Sequence, residues 1–139
     1  MAEPTRERLA LIVKSDTFAD LLLALSFAGI ATSSGLDTVM FFTNRAARRL
    51  KRGGMDDFES VDSVDREFYE GAQQMGFHDL GGMLRDIKSS GLLRVFLCSR
   101  GARIWDIDAD SMLPEVDSVM GTATFLLEEV RSAQTVLTI

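Results

Sequence analysis

The stretch RVFLCSRGARIW (Arg94–Trp105) joins an apolar run to a polar turn rich in arginine. The junction is Cys98, the only cysteine among 139 residues. With the two leucines before it, LLRVFLC is apolar but for one arginine, which suits a strand covered on both faces. Two runs of the same kind precede it, LALIV (Leu9–Val13) and LDTVMFF (Leu36–Phe42). A weak fourth, DSVM (Asp117–Met120), and a fifth, QTVLTI (Gln134–Ile139), follow it. Helical stretches fill the gaps. FADLLLALSFAGIATSSG can be capped by Ser15 or Asp16, TNRAARRLKR is closed by Gly53–Gly54, FHDLGGMLRDIKSSG ends at Gly91, and GTATFLLEEVRSA precedes the last strand. Strand alternating with helix predicts an α/β fold of three layers, flavodoxin-like, with a mainly parallel five-stranded sheet. No repeat or linker divides the chain, so one domain is expected over 1–139.

The bulk composition narrows the function. An apolar fraction of 46% and a charged fraction of 26% are those of an ordinary globular chain. One cysteine leaves no internal disulfide and no thiolate-built zinc site. The opening MAEPTRERLALIV has charges where a signal peptide needs an apolar run. The longest apolar stretch, LLLALSFAGIA (Leu21–Ala31), is too short to span a bilayer, so a cytoplasmic location without a membrane span is expected. The first helix is apolar nearly all round, which predicts cover from more than one neighbour, including another subunit.

Charge is segregated. Met55–Glu70 carries seven acids and one base, so its own charge equals the −6 of the whole chain. A chain neutral elsewhere argues against a nucleic-acid partner, which needs a basic face. The acidic segment reads as an excursion, part helical and part surface. The basic cluster Arg45, Arg48, Arg49, Lys51 and Arg52 reads as the solvated face and C-terminal end of a helix, where cations suit the dipole.

In a parallel sheet, ligands gather beyond the C-terminal ends of the strands, above all where the strand order reverses. A flavodoxin-like order makes the first and third strands neighbours there. Lys14, Ser15 and Asp16 would then sit beside Cys98, Ser99 and Arg100, with Thr43 and Asn44 one strand further out. A helical turn after Cys98 would offer N–H groups to a thiolate, and Arg100, Arg103 and Lys14 would add positive charge. The opposing possibility is a packing thiol, since free cysteine is often buried. His78, the only histidine, reads as a capping or surface residue. WDIDAD lacks the glycine and terminal glutamate of a calcium loop, no metal-ligand spacing occurs, and there is no GxGxxG or Walker loop. Trp105 and Tyr69 read as packing residues.

Four segments in order, LALIVKSD, SGLDTVMFFT, GGMLRDIKSSGLLRVFLCS and VDSVMGTATFLLEEV, resemble the DsrE/DsrF-like sulfur-relay family. The resemblance covers roughly Leu9–Phe42 and Phe77–Ile139. It implies that Cys98 receives a sulfane sulfur as Cys98–S–SH and hands it to a partner thiol, a sulfurtransferase-like relay without a cofactor. Arg100 and Arg103 would stabilise the thiolate or persulfide, while Ser15, Thr43, Asn44 and Ser99 line the approach. The partners implied are sulfur donor and acceptor proteins, and the assembly a homo-oligomer, trimer or hexamer. The chain departs from the family after the cysteine, where SRGARIWDID replaces a methionine-rich turn of small residues, and in the acidic segment. Two alternatives stay open: a non-catalytic oligomeric subunit, and a nucleotide-like small-ligand module. Both leave Cys98 inert, and the second uses the same crevice with a phosphate at the N-terminus of the first helix.

Overall fold

The computed structural model describes residues 6–58 and 62–139. The opening MAEPT, and Glu59 and Val61 of the acidic segment, lie outside the described residues. Each apolar run becomes a strand: β1 (Arg8–Val13), β2 (Asp37–Phe42), β3 (Leu93–Cys98), β4 (Ser118–Met120) and β5 (Thr135–Thr138). All neighbours pair in parallel, in the order β4-β3-β2-β1-β5. The helices are α1 (Phe18–Ser33), α2 (Ser63–Gln74), α3 (Leu80–Lys88) and α4 (Ser99–Ile104), then the single turn α5 (Thr122–Thr124), which widens into a π turn over Phe125–Val130. The α/β class and the five strands are as expected, but the neighbour relation is corrected. Strands β2, β3 and β4 each pair with the one before, as consecutive strands tend to, so β2 separates β1 from β3.

Alternation along the strands sorts the core into two faces. Leu9, Leu11, Val13, Met40, Phe42, Val95 and Leu97 lie in the larger core with residues of α1, α3 and the Asn44–Leu50 segment. Ala10, Val39, Phe41, Phe96 and Cys98 form the second face, with Phe125 as its buried cover. Phe125 stacks on Phe41 at 4.4 Å and meets Phe96 edge-on at 6.5 Å. The end of the π turn is tied down by Glu129, which is buried. It accepts two hydrogen bonds from Arg94, at 2.7 and 2.9 Å, and lies 3.0 Å from Arg8 Nη1. Asp37, 2.7 Å from Arg8 Nε, completes a group of two cations and two anions. A carboxylate can be buried there because both its oxygens are matched by guanidinium donors.

The cap of α1 is Thr17, whose hydroxyl accepts from Asp20 N at 3.2 Å, in place of Ser15 or Asp16. Asp16 is engaged elsewhere, with its carboxylate 2.8 Å from Arg48 Nε and 3.3 Å from Arg45 Nη2. TNRAARRLKR forms a 3₁₀ segment over Asn44–Leu50, and its arginines divide: Arg45 and Arg52 are exposed as expected, whereas Arg48 is half-buried and Arg49 is not on the solvated face. Arg49 is fully buried, donates to the carbonyls of Asp16 and Gly54, and lies over the Phe58 ring at 4.5 Å. Burial pushes its guanidinium down to about 10.

The acidic segment supplies caps to three helices. Asp62 caps α2 by accepting from Asp65 N at 2.9 Å. Asp56 accepts from Leu80 N at the start of α3, at 3.0 Å. Asp65, itself buried, accepts from Phe18 N at 2.8 Å and Ala19 N at 3.1 Å at the start of α1. Asp65→Ala strands two amide donors. It is expected to cost about 1–2 kcal/mol, read as a fall in urea midpoint at unchanged slope; an unchanged midpoint would show that water replaces the carboxylate freely.

The apolar first helix buries one part of its surface and leaves another part exposed. Phe18, Leu21, Ala24, Leu25, Ala28 and Ala31 are buried, yet Leu23, Phe27 and Ile30 remain 45%, 36% and 67% exposed. Among the described residues no helix is long and apolar enough to cross a membrane.

Candidate functional site

Cys98 is both the last residue of β3 and the residue that starts α4. Register places Leu97 beside Phe42 and Cys98 beside Met120, so the residues just past β2 and β4 flank the thiol. The connection after β3 turns toward the larger core, where Ala102 of α4 is buried. The connection after β4 turns to the opposite face, where Phe125 is buried. Two chains that leave adjacent parallel strands for opposite faces open a crevice between them. The reversal expected between the first and third strands therefore lies between β3 and β4, and Cys98 still stands in it.

Cys98 is 2% exposed, while Ser99, Asn44 and Thr122, on the segments that meet at this end of the sheet, are exposed. Its Sγ is 3.8 Å from Thr122 Oγ1. Burial by itself pushes the thiol up. Hydrogen bonds from the Thr43 hydroxyl, Gly101 N–H, Thr122 hydroxyl and Arg100 N–H outweigh it, so Cys98 titrates below its ordinary value of 9.0. Arg100 acts here through its main chain, which any residue but proline would supply.

Those N–H groups reach the sulfur because α4 lies close to the 3₁₀ segment after β2. A Cβ on Gly101 would stand 2.6 Å from the Ala47 Cβ and 3.7 Å from the Cys98 Cβ. Only glycine permits that approach. Trp105 Nε1 donates to the Asn44 carbonyl at 2.9 Å and ties the far end of α4 to the same segment. Asn44 holds φ +51°, a left-handed value that asparagine tolerates better than most residues.

The residues expected around the crevice divide. Thr43 is brought to the sulfur, and its hydroxyl has a second acceptor in Asn44 Oδ1 at 3.4 Å. Ser99, Arg100 and Arg103 are exposed beside it and, with Ile104, line a groove of about 520 Å³. Lys14 and Ser15 follow β1, so β2 stands between them and Cys98. Lys14 N bonds the Ile139 carbonyl, and the Ser15 hydroxyl lies 3.3 Å from that of Thr17. His78 sits half-buried before α3 with its ring 6.4 Å from that of Tyr69, and Asp79 provides the cap of α3. One residue of the site escapes the sequence reading, Thr122; the N–H groups expected from the turn after Cys98 are those of Arg100 and Gly101. A threonine two residues past a weak strand is a faint signal, and it gains meaning only once β4 is known to pair with β3.

The N-terminus of α1, where a phosphate would be held in the nucleotide alternative, is already occupied. Phe18 N and Ala19 N donate to Asp65, whose carboxylate would repel a second anion. Among the described residues no group of three histidine, cysteine or acidic side chains could hold a metal ion.

Comparison with known proteins bears on the same residues. A family model described as the DsrE/DsrF-like family matches residues 8–139, which include Cys98, Thr43 and Thr122. Among solved structures, a protein of unknown function from Methanobacterium thermoautotrophicum is similar with a TM-score of 0.59 at 16% identity. The match covers 94% of this chain and 98% of that one. At that identity the likeness is one of fold. No curated protein matches the sequence significantly.

Proposed function

The chain belongs to the DsrE/DsrF-like family, and from that premise we propose that it is a sulfur carrier, sulfurtransferase-like, with Cys98 as the residue that holds the sulfur. Membership suggests sulfur relay at the level of the family. The observation that carries the reading to this residue is the cradle around Sγ: two hydroxyls and two main-chain N–H groups that favour the thiolate over the thiol. The thiolate is the species that attacks sulfur. The thiolate of Cys98 attacks the outer sulfur of a donor R–S–SH. An S–S bond forms to Cys98, the donor's S–S bond breaks, and R–S⁻ leaves with the electron pair. An acceptor thiolate then repeats the exchange on Cys98–S–SH. No oxidant or reductant enters either step.

The uncovered stripe of Leu23, Phe27 and Ile30 on α1 supports assembly of several copies, trimer or hexamer, with donor and acceptor proteins as further partners. A reduced thiol of this kind suits the cytoplasm. The reading of Cys98 as inert packing is disfavoured by the polar half of its surroundings, because an apolar pocket would raise the pKa instead.

The test of the cradle is the pH profile of Cys98 alkylation in the folded protein. Wild type is expected to titrate below an ordinary thiol. Thr43→Val and Thr122→Val each move the midpoint upward, while Thr43→Ser and Thr122→Ser, which keep the hydroxyl, move it less. A wild-type midpoint at or above the ordinary value, or valine variants with unshifted profiles, would remove the cradle and with it the support for a reactive thiol.

A further inference from the structure

The cradle accounts for the thiolate with hydroxyls and main-chain N–H groups, and this leaves the guanidinium groups of Arg100 and Arg103 without a task. They stand three residues apart on α4, so they rise from one face of the helix. Both are exposed, and with Ser99 and Ile104 they line a groove that begins at Ser99, the residue after Cys98. Neither side chain makes an ion pair or hydrogen bond with a described residue. Arg8, Arg45, Arg48, Arg49, Arg52 and Arg94 each do, and of the arginines without such a partner among the described residues only Arg100 and Arg103 stand together, on the helix that follows Cys98. Among the described residues no carboxylate lines the groove. Asp106, the nearest acid along the chain, lies beyond the end of α4 and is not among the lining residues. In a chain of net charge −6, two arginines without a partner among the described residues, just past the thiol in the chain, form a local field of the opposite sign, and guanidinium pairs suit planar or tetrahedral oxyanions.

We propose that the groove of Ser99, Arg100, Arg103 and Ile104 is the docking place for the anionic group of a small sulfur donor, an organic persulfide that carries a carboxylate or sulfonate. The proposal rests on the sulfur-carrier reading and adds the substrate class to it. The two arginines hold the oxyanion, and the sulfane sulfur of the same molecule is thereby presented to Cys98. Transfer proceeds as above: the Cys98 thiolate takes the outer sulfur, and the donor leaves as its thiolate, still anionic.

The experiment compares two donors of one skeleton, the persulfides of 2-mercaptoethanesulfonate and of 2-mercaptoethanol, by their rates of loading Cys98 at low ionic strength. The sulfonate donor is expected to be faster by on the order of tenfold, an advantage that salt erodes. In the double variant Arg100→Gln/Arg103→Gln the ratio falls toward one. A ratio near one in wild type, or one that the double replacement leaves intact, overturns the proposal. A second arm separates this from failure of the sulfur-carrier reading. Inorganic sulfate is titrated into the unloaded protein and into Cys98→Ser, with the amides of Ser99–Ile104 followed by NMR. Saturable shifts that the arginine double variant loses support the anion site even where neither donor loads Cys98. Their absence overturns it.

Discussion

Phe125→Ala is expected to lower stability by about 3–5 kcal/mol, the range for an aromatic ring removed from a core. The second face of the sheet has little else to hold its cover. Phe125 is 2% exposed, stacked on Phe41 and edge-on to Phe96, and around it the π turn leaves Leu126 and Leu127 more than half exposed. Loss of the ring frees the turn that begins at Thr122, so the effect reaches the site. Cys98 should become faster to alkylate at every pH because it is uncovered. Its titration midpoint should rise at the same time, because the Thr122 hydroxyl is no longer held 3.8 Å away. Chemical unfolding measures the first effect and the alkylation profile the other two. A fall below about 1 kcal/mol with unchanged labelling would mean that the Glu129 ion group seats the turn by itself.

Gly101→Ala is the second large effect, and it has a built-in rescue. The new Cβ would lie 2.6 Å from the Ala47 Cβ, nearer than two carbons can approach, and both belong to packed segments. Either α4 or the Asn44–Leu50 segment must move, at a cost of about 1–3 kcal/mol for overpacking. Movement of α4 withdraws the Arg100 and Gly101 N–H groups from the sulfur, so the thiol midpoint should rise with the loss of stability. Ala47→Gly removes the opposing methyl. The double variant Ala47→Gly/Gly101→Ala should recover most of the stability and return the midpoint toward wild type. Restored stability without a restored midpoint would mean that the N–H groups do not act on the sulfur.

The legibility of the chain follows the range of the interactions. Strands such as LALIV and LLRVFLC announce themselves by local composition, because burial on both faces demands a continuous apolar run. Their order does not, since the pairing of β3 with β2 and β4 is a matter of long-range register. That is why Lys14 and Ser15 were expected beside Cys98 and Thr122 was not. The acidic segment is a similar case. Its aspartates look like solvent-facing charge in sequence, but Asp65 caps a helix that begins 47 residues earlier, a partnership visible only in three dimensions. Arg49 belongs with it. Six positive or polar neighbours suggest a wet surface, while the fold places its guanidinium over Phe58 and against two carbonyls. The thiol itself was legible in its place at a strand end before a polar turn. Its electrostatics were legible only in part: the N–H groups of the following turn were expected, whereas the hydroxyls of Thr43 and Thr122, from two other segments, act where the arginine side chains were expected.

The central claim is that Cys98 takes up and holds a sulfane sulfur. The most direct measurement is the intact mass of the folded protein after exposure to a small persulfide and removal of the excess, beside Cys98→Ser treated identically. The account predicts a mass gain of one sulfur atom on wild type, reversed by reductant and absent from the variant. No gain on wild type, or an equal gain on Cys98→Ser, would contradict it.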